Sequence, residues 1–356
     1  MTDWRRDYSV GYEFWTVDPA TWRDAEPYGP VVSFSLSETE PGENMGDLMG
    51  RGEMATLSPL PAEAYVRCYL VATQDGIAAR ECLGTMLAQT PTTELDGKAA
   101  QVSVGLYPPT LELRESGLAA GFTLATGSDV VSSAAELVRS KCRAPVIAPP
   151  SGPALSAPYT AETGDDPLSY VQSLLRAHGL ALRVTPRGEL SIESDRDPTA
   201  MAPVWTYDDG NASIMEAGVQ VLEDWYGLPN VVEVVTGMTV GRAENASPSS
   251  RLSTATRGRT VLERVTDSGL PDSASQAVAD EWAMRRLRER SRVTSTVTYR
   301  HVYNGVRVGD GVRMDYTRHA LDETGRVTAK TTTGGVGQAC MVEETMEFSE
   351  DLWQAT

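Results

Sequence analysis

Residues 165–194 read DDPLSYVQSLLRAHGLALRVTPRGELSIES, and the order of residue types in this stretch specifies a helix followed by a β-hairpin. Asp166 can accept from the free N–H groups of a first helical turn, Pro167 already holds a helical φ, and Gly179 tolerates the conformation that ends a helix. Between them Leu168, Val171, Leu174 and Leu175 fall on one face at helical spacing. The spacing predicts a helix over 167–178. LALRVT then alternates as a strand, Pro186–Gly188 turns the chain, and ELSIES returns, which predicts a hairpin over 180–194.

Upstream, APVIAPPSGPALSAPYTAETGDD (144–166) is too Pro-rich for a helix and too apolar for a free linker. It reads as a long ordered loop carrying a short strand and packed on a neighbour. SDVVSSAAELVRSK (128–141) sets Val130, Ala134, Leu137 and Val138 on one helical face, with Ser128 as cap and Asp129 in the first turn. Residues 1–112 have strand character. YEFWTVD and VVSFSLS flank the turn-rich PATWRDAEPYGP, and EMATLSPL follows a polar, Gly-rich stretch. In AYVRCYLVA, Tyr65, Arg67 and Tyr69 alternate with Val66, Cys68 and Leu70, the pattern of a half-buried strand. QDG is a tight turn, ARECLGTMLAQT returns, and Asp96-Gly97 signals a hairpin before QVSVGLY.

Downstream, PVWTYDDGNASI turns at Asp209-Gly210, and LPNVVEVVTG is a β-branched strand. Residues 241–260, GRAENASPSSRLSTATRGRT, read as an exposed loop. A helix is predicted over 272–290, its acidic half first and its Arg-rich half last, matching the helix dipole. VTSTVTYRHVYNGVRVGDGVRMDY and ACMVEETMEFSE read as strands, Gly309-Asp310-Gly311 as a sharp turn, and ALDETGRVTAKTTTGGVGQ as a hairpin tip. No repeat of fixed period is visible, but a looser duplication is. One β unit is 1–112 and a second combines 201–240 with 291–356. An α+β segment, 113–200, and a loop-plus-helix insert, 241–290, complete the chain. The expected class is α+β, rich in β.

Composition agrees: 31 Gly and 21 Pro in 356 residues, with 41% apolar and 22% charged, favour short strands and many turns. A net charge of −18, from 49 acidic and 31 basic residues, excludes the basic surface that phosphate binding needs. It keeps copies dispersed, and it also suits a wall past which DNA slides without sticking. No apolar leader opens MTDWRRDYSV and no window is long and apolar enough to span a bilayer, so the expected site of synthesis is a cytoplasm. Cys68, Cys82, Cys142 and Cys340 show no CxxC pairing and read as buried free thiols, with Cys68 and Cys82 on strands that could place them side by side.

Candidate chemistry is sparse. His178 falls in the last turn before Gly179, where a cation meets carbonyl ends. His301 and His319 read as surface or half-buried strand residues without metal-ligand spacing. No GxSxG, HExxH or P-loop is present, and TTTGGVGQ lacks the Lys-Ser/Thr that grips phosphate. Asp208-Asp209 lies in a turn, and Glu343 and Glu344 point to opposite faces of a strand, so neither pair suits a glycosidase. Trp4, Trp15, Trp22, Trp205, Trp225, Trp282 and Trp353 could form a sugar platform but read as core and interface anchors. Arg285, Arg286, Arg288 and Arg290 read as a solvated helix end or as a contact to an acidic neighbouring copy. The expectation is no catalytic residue, no cofactor and no metal.

The order of segments resembles the hub family of phage tail tips, which includes the N-terminal part of siphophage tail-associated proteins and baseplate hubs of contractile tails. The likeness runs from VRCYLVATQDG, ECLGTMLAQTP and KAAQVSVGLYPPTLELRES through GSDVVSSAAELVRSKCRAPV and the helix–hairpin stretch. It continues with PVWTYDDGNASIMEAG, LPNVVEVV, SPSS, RGR, SASQAVADEWAMRRL and GVRVGDGVRMDY, and covers about residues 8 to 350. Pro108 stands after Tyr107 where that family commonly has Asp. The resemblance implies two small β-barrel-like domains per subunit and a homotrimer whose six barrels form a pseudo-sixfold ring. It implies a structural hub that joins a sixfold tail tube to a threefold tip and forms part of the channel for DNA and tape-measure passage. The implied partners are the distal tail or tail tube ring, the tape-measure protein and tip or fibre proteins. The implied place is the virion tail tip, assembled in the host cytoplasm. Larger members add a C-terminal hydrolase or fibre; the chain ends at Thr356, so those activities are expected in other chains. A tail-associated cell-wall hydrolase and a carbohydrate-binding receptor module are the alternatives.

Overall fold

The structure, a computed structural model, describes residues 2–41, 46–57, 63–96, 99–195, 202–210, 213–266, 268, 270–271 and 273–353. In chain order the elements are β1 (Ser9–Asp18), β2 (Arg23–Tyr28), β3 (Val31–Thr39), β4 (Gly50–Thr56), β5 (Ala64–Gln74), β6 (Ile77–Asp96), β7 (Ala99–Tyr107), α1 (Thr110–Glu115), β8 (Thr123–Leu124) and α2 (Val130–Lys141). Then come β9 (Val146–Ile147), β10 (Tyr159–Thr160), α3 (Pro167–Arg176), β11 (Leu180–Val184), β12 (Leu190–Ser194), β13 (Trp205–Asp208), β14 (Gln220–Glu223), β15 (Val231–Thr236), β16 (Thr239–Glu244) and α4 (Thr254–Arg257). The last are β17 (Leu262–Val265), α5 (Gln276–Arg290), β18 (Arg292–Val302), β19 (Gly311–Tyr316), β20 (Leu321–Gly335) and β21 (Met341–Asp351). They form two compact units, Met1–Gly218 with Thr298–Met346, and Val219–Val297 with Glu347–Thr356.

In the first unit the strand order is β18-β21-β20-β3-β4-β7-β6-β5-β1-β2, and β19 pairs with both β20 and β13. The expected β-barrels are corrected here: among the described residues no sheet closes on itself. The physical reason is visible at β2, whose mostly exposed RDAEPY carries charges and a proline, a sequence that resists a further strand. The expected half-buried strand is also corrected. β5 is buried on both faces, with Cys68 and Leu70 in an apolar core shared with Leu36, Met54 and Val104, and Tyr65 in a second core. The QDG turn is as expected, with Asp75 at φ 52 and Gly76 at φ 78, the pair of positive angles a two-residue hairpin requires. Gly97 lies outside the described residues.

The second core of this unit is built by α2, α3 and the β11–β12 hairpin, through residues such as Val131, Leu168, Leu174, Leu182 and Ile192. Asp166 accepts from Ser169 N at 2.8 Å while the Ser169 hydroxyl accepts from Asp166 N at 3.1 Å, a reciprocal cap. The helix ends two residues before the expected limit of 178, at Arg176. The cap of α2 is Asp129 and not Ser128: its carboxylate accepts from Ser132 N at 2.8 Å and from Gly152 N at 2.7 Å. β9, the short strand expected in the Pro-rich stretch, pairs in parallel with β12. The α1 turn was not foreseen.

Two expected loops are strands or buried segments. The stretch 320–338 is not a hairpin tip; most of it is β20, paired with β3 from Ala329↔Thr39 to Gly335↔Ser33. Its glycines mark close approach: a Cβ on Gly334 would lie 2.6 Å from the Tyr12 ring, and one on Gly335 would lie 2.7 Å from Val32 O. In the second unit, β15 pairs with β16 and β17, and Ala279, Ala283 and Leu287 of α5 pack on Val232, Val234 and Ala243. α5 starts at Gln276, later than the expected 272. Residues 241–260 are not an exposed loop, since β16 runs to Glu244 and Asn245, Ser247, Ser250 and Ser253 are buried. The Asn245 amide donates to Ser250 Oγ at 2.9 Å, and Ser250 Oγ donates to Leu352 O at 2.9 Å. Polar side chains there replace secondary-structure partners for the backbone.

Candidate functional site

Three polar sites stand out, all in the first unit. Where the hairpin turn meets β5 and β6, the Arg67 side chain is 2% exposed. Its guanidinium donates to Asp24 Oδ1 at 2.8 Å, Thr85 Oγ1 at 2.8 Å and Arg187 O at 3.0 Å. Trp22 Nε1 donates to Arg187 O at 2.8 Å, and Thr85 Oγ1 donates to Pro186 O at 3.0 Å. The carbonyls of the tight turn are thus held by side chains from the large sheet, and the turn is clamped. Gly188, at φ 75, sits where a Cβ would come 2.8 Å from Thr85 Cβ.

Beside this clamp lies a cleft of about 510 Å³, walled by Leu36, Met49, Met86, Ile192 and several prolines. Its rim is an ion-pair network. Arg183 Nη1 meets Glu40 at 2.6 Å, Arg326 meets the same carboxylate at 3.0 Å, and Arg326 Nη1 meets Asp195 at 2.8 Å. Glu38 and Asp310 also line the cleft. Burial pushes the Glu38 carboxyl above the usual range despite the attraction of Lys330 and Arg307. Burial likewise raises Asp310, partly offset by the Arg307 N–H it accepts at 2.9 Å.

Lys330 is one of three lysines in the sequence, and it is buried. It stands directly across from Glu38 in the β3–β20 ladder. Its ammonium donates to Val306 O and lies 5.0 Å from the centre of the Tyr303 ring. Deeper still, Glu344 and His301 are fully buried with Nε2 and Oε2 3.3 Å apart. Tyr207 and Tyr299 donate to Glu344 Oε2 at 2.7 and 3.0 Å, and Asn304 Nδ2 donates to the Tyr207 hydroxyl at 2.8 Å. His301 Nδ1 faces Val302 O at 2.8 Å, a group that can only accept, so Nδ1 carries a proton. Burial works to raise the Glu344 carboxyl, but its bond to His301 and the ring's charge bring it below the usual range.

No family model matches the sequence, and no curated protein matches it. Among solved structures, the chain is similar to a tail protein from Neisseria meningitidis MC58, at TM-score 0.63 and 14% identity over 96% of this chain and 98% of that one. It is similar to the 43 kDa tail protein of prophage MuSo2 from Shewanella oneidensis, at TM-score 0.65 and 10% identity over 94% and 97%. It is also similar, at TM-score 0.52 and 11% identity over 98% and 79%, to the E. coli c3393 protein. That protein is a type VI secretion component described as structurally similar to the T4 tail proteins gp27 and gp5. The chain has a phage tail hub-like fold.

In this hub-like fold the residues weighed from the sequence are not brought together. His178 Nδ1 lies 2.9 Å from Leu174 O at the end of α3, as its position suggested. His301 is the correction: it is buried, not at the surface, because it shares an inward face of β18 with Val297 and Tyr299. His319 is exposed and stacks on Tyr316. Asp208 pairs with Arg5 at 3.8 Å and Asp209 with Arg318 at 3.5 Å. Glu343 is exposed while Glu344 is buried, as adjacent strand residues must be. Arg286 and Arg290 meet Glu263 at 2.8 and 3.4 Å, and Arg288 lies over Trp353. The tryptophans are engaged separately. Trp22 is buried, and Trp15, Trp205 and Trp225 lie under Arg80, Arg5 and Arg251. Only Trp15 lines the aromatic groove of about 580 Å³ formed with Tyr12, Tyr28 and Phe34.

All four cysteines are free. Cys68 sits opposite Gly84, and Cys82 opposite Tyr69, because the ladder shifts register between them. Among the described residues, no group of three or more His, Cys, Asp or Glu could hold a metal ion, and no helix is long and apolar enough to cross a membrane. Glu38 and Lys330 were missed, and Arg67 and Glu344 were read only as strand residues, not as parts of a polar site. Strand parity carried the signal: Glu38 shares its face with Phe34 and Leu36, and Glu344 with Val342 and Met346.

Proposed function

We propose that this chain is a structural hub subunit of a long-tailed phage tail tip or baseplate, and not an enzyme. The observation that carries the reading is the likeness to two tail proteins, one of them from a prophage, over almost the full length of both partners. In this reading three copies form a ring around a channel for DNA and the tape-measure protein. Residues 1–112 supply one β module, and 201–240 with 291–356 supply the other, so a trimer offers six related surfaces to a sixfold tail tube. Residues 113–200 and 241–290 are then inserts that attach tip or fibre proteins. The ring is placed in the virion tail tip after assembly in the host cytoplasm. The net charge of −18 suits a wall that DNA passes without adhering. Sedimentation of the purified chain, alone and with its tail tube protein, tests this: a species of three copies is expected, and a strict monomer in both would contradict it.

A second reading, a cell-wall or glycan hydrolase, has one observation in its favour, the two carboxyls Glu38 and Asp310 raised by burial in one cleft. Peptidoglycan turnover abolished by Glu38→Gln would establish it in place of the hub. Inertness toward peptidoglycan is the expected result.

A further inference from the structure

We propose that the first unit opens along the β3–β20 ladder, so that its two groups of strands part as bodies before either comes undone. Among the described residues this ladder alone joins the strands of Ser9–Tyr107 to those of Trp205–Asp351; every other ladder of the large sheet stays within one group. It runs for seven pairs, from Ala329↔Thr39 to Gly335↔Ser33. The inference stands on this seam and not on the hub reading, under which it would let the two β modules shift against one another.

What β20 brings to the seam decides how firmly it is closed. On the inner side Lys330, Thr332 and Gly334 stand opposite Glu38, Leu36 and Phe34. None of the three is an apolar side chain, whereas β5 gives Val66, Cys68 and Leu70 to the same core. Parting β20 from β3 therefore forfeits little hydrophobic stabilisation. It also returns charge to water. Lys330 is buried; it attracts Glu38 and acts on Asp310 and Glu344 as well, while burial opposes the ionised form of Glu38. Rehydration of these groups offsets part of the attraction lost on opening. Elsewhere the seam is tied by Tyr8 and Tyr12, whose hydroxyls donate to Tyr303 O and Gln338 O, each at 3.2 Å. Arg326 meets Glu40 at 3.0 Å, and Tyr303, Cys340 and Val342 pack on the core of the first group. Opening exposes that apolar set and leaves the ladders inside each group whole, the condition for a partial opening below global unfolding.

Cys340 is the natural probe. It lies in that apolar set with no exposed surface, and burial pushes its thiol up to about 12, so it reacts only once the seam opens. The full chain is labelled with excess iodoacetamide under native conditions, and each cysteine is followed by peptide mass analysis. Cys340 is expected to react at least about tenfold faster than the chain unfolds globally, the latter rate being extrapolated from urea. A staple then closes the seam from outside. Ser37 and Thr331 stand opposite each other on the outer face with their hydroxyls 2.9 Å apart, a spacing suited to a disulfide between Ser37→Cys and Thr331→Cys. Oxidation of this pair should remove the excess reactivity of Cys340, and reduction should restore it. Labelling of Cys340 no faster than global unfolding would overturn the proposal, as would an excess that survives the oxidised staple. If the staple does not form, the comparison of rates on the wild-type chain still decides. Each result is read on the isolated chain, so it stands whether or not the hub reading survives.

Discussion

Arg67 brings a guanidinium to a position where 2% of its side chain is exposed, and it is tolerated because every arm of the fork finds an acceptor. Arg67→Met would strip Asp24 Oδ1 and Thr85 Oγ1 of the guanidinium and leave the Arg187 carbonyl with Trp22 Nε1 alone. A loss of about 3–5 kcal/mol is expected, as for breaking one partner of a buried pair, and urea unfolding measures it. Arg67→Lys keeps the charge but not the fork, and should recover only part of the loss. Glu344 obeys a different sign. Burial raises its carboxyl but His301 lowers it further, so its folded value lies below the ordinary 4.5. The stability it contributes is present above the unfolded value and is lost as pH falls through the folded value. Unfolding followed below pH 4.5 should show this acid limb, and Glu344→Gln should flatten it. Glu38 runs the other way. Its folded value is raised, so the fold loses stability as pH rises from the unfolded toward the folded value. Glu38→Gln should therefore melt higher than wild type at neutral pH and match it in acid. These residues were hidden because composition shows a charge but not its face. Parity with Leu36 for Glu38, and with Tyr299 for His301, was the only clue, and it needs the strand register first.

At the scale of elements, local chemistry was legible where a cap or turn speaks for itself. Asp166 and Pro167 open α3 as their types require, Gly179 at φ 67 turns the chain three residues past its end at Arg176, and Asp75-Gly76 makes the turn before β6. Gly188 shows how the hairpin depends on what it touches. Gly188→Ala combines a positive φ of 75 with a contact 2.8 Å from Thr85 Cβ. A loss of about 1–3 kcal/mol is expected, seen in thermal melts, with the clamp carbonyls moved off Arg67. What failed was glycine-rich and polar sequence. TAKTTTGG in β20 reads as a loop, yet its glycines let β3 and the Tyr12 ring come close. Asn245 and Ser250 read as exposed, yet they sit inside the second unit as partners for backbone. In both cases the deciding neighbour is far along the chain, which local propensity does not contain.

For the whole molecule, the β-rich class and the order of segments were readable, and the likeness to solved tail proteins agrees with them. Sheet closure was not readable: two barrels were expected, and among the described residues no sheet closes, with the charged, proline-bearing β2 at one end of the path. Whether open sheets complete a ring is a property of the assembly and belongs to several chains at once. The measurement that bears on this most directly is cryo-electron microscopy of assembled tails carrying this chain. The expected map places three copies around the axis at the tail tip, in contact with a sixfold ring above and enclosing a pore. Six copies in the tube, or copies attached off the axis as a fibre, would contradict the hub.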